Sequence, residues 1–299
     1  MAGPAAPSAP AVAARLSLVR LDLAQLLKLS GPVVLARLGI MTMGLMDAIV
    51  VGRYSAEHLG FHAMAWAPTS VVLTMAIGLL TGVQVMTARA VGEGRPNESG
   101  AVLRRGLVYG LWIGLASMLV LAGLGPLGLA HLGLEPSLAS GAAWPVIVFA
   151  LSLPTYVISC AASFWLEGLS RPVPAMLLMW AANAVNLAFL LLLVPGAFGL
   201  PAMGATGAAW ATFGARAFLM IGLLAYIALM RDARALGVFA KPARDPLAEA
   251  EQRKIGYGAG ASNFFEVAAF ASLNVVAGWI GVLALAAWTV VLKIGRAHV

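Results

Sequence analysis

Apolar residues run along this chain in long blocks separated by short polar turns. The first block, residues 29–51, is nearly all apolar over 23 positions. A helix rises ~1.5 Å per residue, so a block of this length crosses a hydrocarbon core of about 30 Å. Further blocks occupy 61–88, 106–124, 141–166, 175–194, 205–230 and 255–276. An eighth begins near 283 and meets Lys293 after about 10 apolar residues, too few to cross. Pro68 is expected to kink the second span. Gly, Pro and charge mark the intervening turns, as in GRYSAEHLG (52–60), RAVGEGRPNESG (89–100) and PGAFGLPAMG (195–204). The stretch DLAQLL (22–27) reads as a short helix lying on the membrane surface.

Composition agrees with the pattern. The chain is 61% hydrophobic and 10% charged, with a mean hydropathy of +0.92, where a soluble domain has ~45–50% apolar and ~25% charged residues. The expected fold is therefore an all-α polytopic membrane protein. Residues 1–14 are rich in Ala and Pro and lack the basic start and Leu-rich core of a cleaved signal, and 1–25 is expected to be a disordered or interfacial tail.

The net charge of +7 would suggest nucleic acid in a soluble protein, but its distribution gives another reason. Fourteen Lys and Arg fall before the first span, in the 89–105 and 167–174 turns and in 231–254; the opposite face has Arg53 alone. The basic face should be cytoplasmic, which puts the N-terminus inside and makes anionic lipid headgroups the natural partner of these loops. The lone Cys160 sits in an apolar run and reads as a core residue. No Cys/His cluster has metal spacing, and the P-loop, HExxH and GxSxG patterns are missing. A membrane enzyme would need a catalytic set clustered at one interface, and the sequence offers none. With no ATP site in this chain, any pumping must draw on an ion gradient.

Sliding the chain on itself by 226 residues aligns Lys28 with Lys254, Val50 with Val276, Gly52 with Gly278 and Leu59 with Leu285. Both copies enter an apolar span from a charged segment. This suggests a complete six-helix lobe over 26–230, a charged linker over 231–254, and the start of a second homologous lobe over 255–292. The closing IGRAHV resembles the translation of a sequencing adapter, so 293–299 is expected to be a foreign tail on a truncated chain.

Charged residues inside spans are expensive, at least ~2.5 kcal/mol on insertion scales, and mark candidate chemistry. Asp47 lies near the outer end of the first span, and Glu266 lies mid-way along the seventh with Asn263 three residues earlier. Asp47 reads as facing a cavity and exchanging a proton or cation for a cationic solute. Its structural alternative is snorkelling or pairing with a basic residue. Glu266 with Asn263 reads as a proton or cation ligand pair, or as a buried packing contact. Burial disfavours the charged form of a carboxylate and a nearby cation favours it, so such a site can couple two fluxes. Glu167, at the end of the fourth span, has Arg171 four residues on, giving either a local ion pair that caps the turn or a gating group. Arg37 is close enough to the cytoplasmic end to snorkel, whereas Arg216, near the middle of the sixth span, needs a partner. Asn183 and Asn186 in the fifth span suit helix–helix hydrogen bonding.

Five stretches together resemble the multidrug and toxic-compound extrusion family: MGLMDAIVVGRYSAEHLG (43–60), GLLTGVQVMTARAVGEGR (78–95), LEGLSRPVPAM (166–176), GAFGLPAMGATGAAWAT (196–212) and NFFEVAAF (263–270). The resemblance covers 26–292. It implies twelve spans in two six-helix lobes around a cavity, with cationic drugs exported against inward protons or sodium. It also implies a monomer in a bacterial-type inner membrane, with cationic small molecules and lipids as partners and no cofactor, metal or nucleic acid. Asp47, Glu266 and Asn186 then fall on its coupling positions, and Glu167 on its glutamate after the fourth span. Leu190 replaces the second polar residue of the fifth span, and Val85 and Arg89 replace Pro and Gln. The sodium site of this lobe is thus incomplete, which favours proton coupling through Asp47. A lipid-linked oligosaccharide flippase of the same superfamily is the alternative. Such a flippase lines its cavity with basic residues, whereas the charges here are mixed.

Overall fold

The computed structural model describes residues 9–131, 133, 135–241 and 245–295, and side chains between 28 and 291 within those ranges, Ala271 apart. Residues 1–8 of the expected tail and 296–299 of the expected foreign tail lie outside the described residues, as do 242–244 of the linker. Among the described residues every regular element is a helix.

The order is α1 (Ala9–Tyr54), α2 (Ala56–Leu79), α3 (Thr81–Gly92), α4 (Ser99–His131), α5 (Pro136–Leu151), α6 (Leu153–Gly168), α7 (Val173–Leu193), α8 (Gly204–Leu229), α9 (Pro246–Ile280) and α10 (Val282–Gly295). Six stretches are long and apolar enough to cross a membrane, and seven if α5 and α6 form one span bent by 41°. This is the expected arrangement of complete spans, with the apolar part of α10 too short to cross. Large apolar side chains project outward at mid-span, among them Trp112, Leu119, Trp144 and Ile221. That is a lipid-facing surface, because hydrocarbon leaves no reason to bury them.

The structure differs from the sequence reading in three places. Residues 22–27 are not a separate surface helix but continue α1, since neither Gly nor Pro interrupts the chain between 15 and 30. The second span also has a break that the sequence did not mark, at Leu80 between α2 and α3, while Pro68 lies inside α2. The linker is irregular only in part: Asp245 accepts a hydrogen bond from the Ala248 N–H at 3.1 Å and Pro246 opens α9, so 246–254 is helical.

The break between α1 and α2 falls at Ser55, whose side chain caps α2 by accepting from Glu57 and His58 N–H. The break between α9 and α10 falls at Gly281, at φ 137°, a conformation suited to glycine. The two breaks are 226 residues apart, the offset of the sequence repeat. The core of the first lobe gathers on α6, with Trp165, Leu166, Val157 and Ala161 fully buried. Its start, against Ser152, interrupts the fourth span, with Pro154 in the first turn unable to donate to the ladder.

Helix α9 packs along α2 and α3 at very short range. A Cβ on Gly78 would lie 2.6 Å from Gly260 Cα. Gly82 faces the Gln252 carbonyl and Gly256 faces that of Leu79 in the same way. Small residues four apart on both helices let the backbones meet.

Candidate functional site

Asp47 is 3% exposed and lies on the inner face of α1, seven residues before its end. Thr212, on α8, donates its hydroxyl to Asp47 Oδ2 at 3.0 Å. One turn further along α8, on the same face, comes Arg216. The residue is 3% exposed; its Nη1 donates to Ser152 Oγ at 2.6 Å, and its Cζ stands 4.7 Å from the Tyr156 ring and 5.7 Å from that of Trp66. The partner missing from the sequence reading of Arg216 is therefore the α5–α6 break plus two aromatic faces. Ser152 and Tyr156 gave no signal in sequence beyond being polar positions in an apolar span, and Thr212 gave none.

Helix α7 supplies the third wall. Asn183 donates through Nδ2 to Gly39 O on α1 at 3.0 Å and to Met179 O at 2.9 Å, which is the helix–helix role expected of it. The first and fifth spans run the same way, so Asn186 stands about one turn nearer Asp47. Asn186 is fully buried, and among the described residues its side-chain amide has no hydrogen-bond partner. A further turn on, Leu190 is fully buried in an apolar cluster with Ala48, Val51 and Ala211. Leu190 thus puts an apolar side chain on the α7 wall one turn beyond Asn186.

The inner end of the lobe carries a second polar group. Glu167 accepts from Gln84 Nε2 at 3.0 Å, and Arg37 Nη2 lies 3.9 Å away while its Cζ stands 5.5 Å from the Phe164 ring. The local Glu167–Arg171 ion pair envisaged from their spacing does not form. Ser170, at φ 60°, reverses the chain: its N–H bonds to Glu167 O and that of Arg171 to Leu166 O, ending α6 in a Schellman turn. That turn swings Arg171 away, and its Nη1 meets Asp232 Oδ2 in the linker at 2.6 Å.

On α9 the two expected ligands separate. Asn263 Nδ2 points at Thr74 O on α2 at 3.5 Å, while Glu266 is exposed and among the described residues makes no ion pair. The structure therefore brings Asp47, Thr212, Arg216 and the α7 asparagines into one lobe interior and leaves Glu266 outside that cluster. Among the described residues there is no group of three His, Cys, Asp or Glu able to hold a metal.

A helical lobe with a buried carboxylate in its first span, and the start of a second lobe folded like the first, define a polytopic membrane protein of the two-lobe kind. The MatE family model matches residues 32–192, more than half of the chain, and the chain belongs to that family. It is 63% identical over 273 residues to the probable multidrug resistance protein NorM of Caulobacter vibrioides, covering 91% of this chain and 58% of that protein. It is 26% identical over 280 residues to the multidrug resistance protein NorM of Photobacterium profundum, covering 92% and 60%. The chain thus spans about 60% of the length of the curated relatives it matches. Two solved folds are similar: an outward-facing multidrug resistance MATE family transporter of the MOP superfamily (TM-score 0.78, 19% identity, 91% of this chain and 60% of that one) and an inward-facing one (0.77, 18%, 86% and 57%).

Proposed function

We propose that this chain forms the first lobe and the opening of the second lobe of a secondary antiporter. It exports cationic drugs in exchange for protons, with Asp47 as the group that is loaded and unloaded. The observation that carries the reading is the Asp47 carboxylate, buried in a membrane span and held by Thr212. The NorM relatives support export of drugs as the task.

Proton rather than sodium exchange is favoured by the surroundings of the carboxylate. A sodium ion needs several oxygens at once. Here Leu190, an apolar side chain, stands on the α7 wall where a second polar group would be needed. A proton needs a single carboxylate oxygen. A cationic solute can then compete with it for the same negative charge, which is the coupling an antiporter requires. Asn186, with its amide unpartnered one turn away, is the second polar contact for a solute or its water. The protein sits in an inner membrane with its N-terminus on the basic, cytoplasmic side.

The test is dye efflux from a host lacking its own exporters. A complete-length protein carrying this sequence should lower ethidium accumulation, and dissipating the proton gradient should abolish the effect. Efflux that follows a sodium gradient instead would refute the proton assignment, and no efflux of any cationic dye would refute the drug assignment.

A further inference from the structure

At the basic end of the first lobe, the last turn of α8, the first residues of the linker and the α6–α7 turn enclose an open groove of about 410 Å³, within the ~300–1,000 Å³ range of small-ligand sites. Its lining divides by chemistry into Tyr226, Leu229 and Met230, here called the floor, and the charged Arg171, Arg231 and Asp232, here called the rim. Its position in the fold is a boundary. Leu229 ends the sixth candidate span and Val173, two residues after Arg171, begins the fifth, so the groove straddles the ends of two apolar stretches and the basic residues next to them.

The chemistry of the groove matches that division. Leu229 is 83% exposed and Tyr226 is also exposed, so the floor is apolar and uncovered. Asp232 is engaged by Arg171 at 2.6 Å, while the Arg171 side chain stays 45% exposed and Arg231 is exposed and makes no ion pair among the described residues. Two guanidiniums against one carboxylate give the rim one net positive charge. We propose that this groove binds an anionic phospholipid of the inner leaflet, its phosphodiester between Arg171 and Arg231 and an acyl chain along Leu229 and Tyr226. Planar guanidiniums suit a phosphate's oxygens. A zwitterionic headgroup fits less well, because the carboxylate its ammonium would need is occupied. A soluble anion would leave the apolar floor bare.

The site matters because the linker beyond Asp232 is tied to the first lobe. Ala233 and Leu236 are buried there, Gly100 N–H bonds to Leu236 O at 2.8 Å, and Arg104 reaches the carbonyls of Gly237 and Val238. A lipid bridging Arg171 and Arg231 therefore pins the start of the inter-lobe linker to the α6–α7 turn. This proposal depends on the membrane fold and not on the transport reading.

Native mass spectrometry of the detergent-solubilised chain, titrated with phosphatidylglycerol or phosphatidylcholine of identical acyl chains, tests it. The wild type should retain phosphatidylglycerol preferentially, by about fivefold for each contributing arginine. The variant R171A/R231A should lose the preference and R171K/R231K should keep most of it. R234A, which removes an exposed linker charge outside the groove, should change nothing. If the double alanine variant does not fold, R231A alone decides, since it leaves the Arg171–Asp232 pair intact. Inorganic phosphate should not displace the lipid. Equal retention of both lipids, an equal loss in R234A, or displacement by inorganic phosphate would each overturn the assignment.

Discussion

Thr212 on α8 donates its hydroxyl to Asp47 on α1 at 3.0 Å, joining residues 165 positions apart inside the first lobe. A buried hydrogen bond to a charged group is worth about 1.5–3 kcal/mol. Thr212→Val keeps the shape and removes the donor. It should lower stability by that amount, or force Asp47 to keep its proton, and in either case reduce efflux. Thr212→Ser should behave like wild type. Thermal unfolding in detergent alongside dye efflux separates the two effects, and a fully active Thr212→Val would mean that the hydroxyl plays no part.

Arg216 should bear on stability as well as on transport. Removing one buried charge while its counter-charge stays is destabilising, because the charge left behind is uncompensated, and the Asp47 carboxylate held by Thr212 one turn away would be left so. Ser152 also donates to Phe149 O at 2.7 Å, so Arg216→Met leaves it with a partner. The expected result is a stability loss of about 3–5 kcal/mol, read by thermal unfolding in detergent, together with reduced efflux; a variant as stable as the wild type would contradict a charge-balancing role. Arg216→Lys should not restore efflux, because an ammonium cannot both lie on the Tyr156 face and bond Ser152 as a planar group does.

The spans, the intramembrane charges and the 226-residue offset were legible because each is a one-dimensional property: length, composition or spacing. Partners were not. Arg171 finds Asp232, 61 residues away, instead of Glu167 on the preceding turn, because an αL residue at Ser170 turns the chain. Polar positions such as Ser152 and Thr212 carry no mark of the charges they serve until packing brings them together. The same holds for Gly78 and Gly260, which read as ordinary membrane glycines until α2 and α9 are seen to meet through them.

That contact makes a prediction for the seam between the lobes. Gly78→Val places a branched side chain where a single Cβ already meets Gly260 Cα at 2.6 Å. The backbone of α9 must move away. In a Cys160→Ala background, an oxidative cross-link between cysteines placed at Thr74 and Asn263 should form readily and drop several-fold when Gly78→Val is added. Unchanged cross-linking would show that the seam is not held by backbone contact.

The α3–α4 turn should resist acid. Arg95 and Arg89 bond the Glu93 carboxylate and hold it below the ordinary carboxylate value of 4.5. Since the folded-state value is depressed, the contribution of these pairs is present above that ordinary value. It is lost as pH falls through the lower, folded one. Being exposed, the cluster orders the turn more than it stabilises the lobe. An NMR titration of the Glu93 carboxyl should show it still ionised at pH 4.5, and Glu93→Gln should raise hydrogen exchange across 93–98 alone. A normal titration midpoint would contradict the pairing.

The proposed antiport requires Asp47 to exchange a proton for the solute. The direct measurement is proton release when ethidium is added to the purified complete-length protein in weakly buffered detergent solution, followed with a pH dye. Wild type should release up to about one proton per ethidium bound, with the yield falling as pH rises and the site empties of protons, and Asp47→Asn should release none. Ethidium binding with no proton released by the wild type at any pH, or release undiminished in Asp47→Asn, would contradict the mechanism.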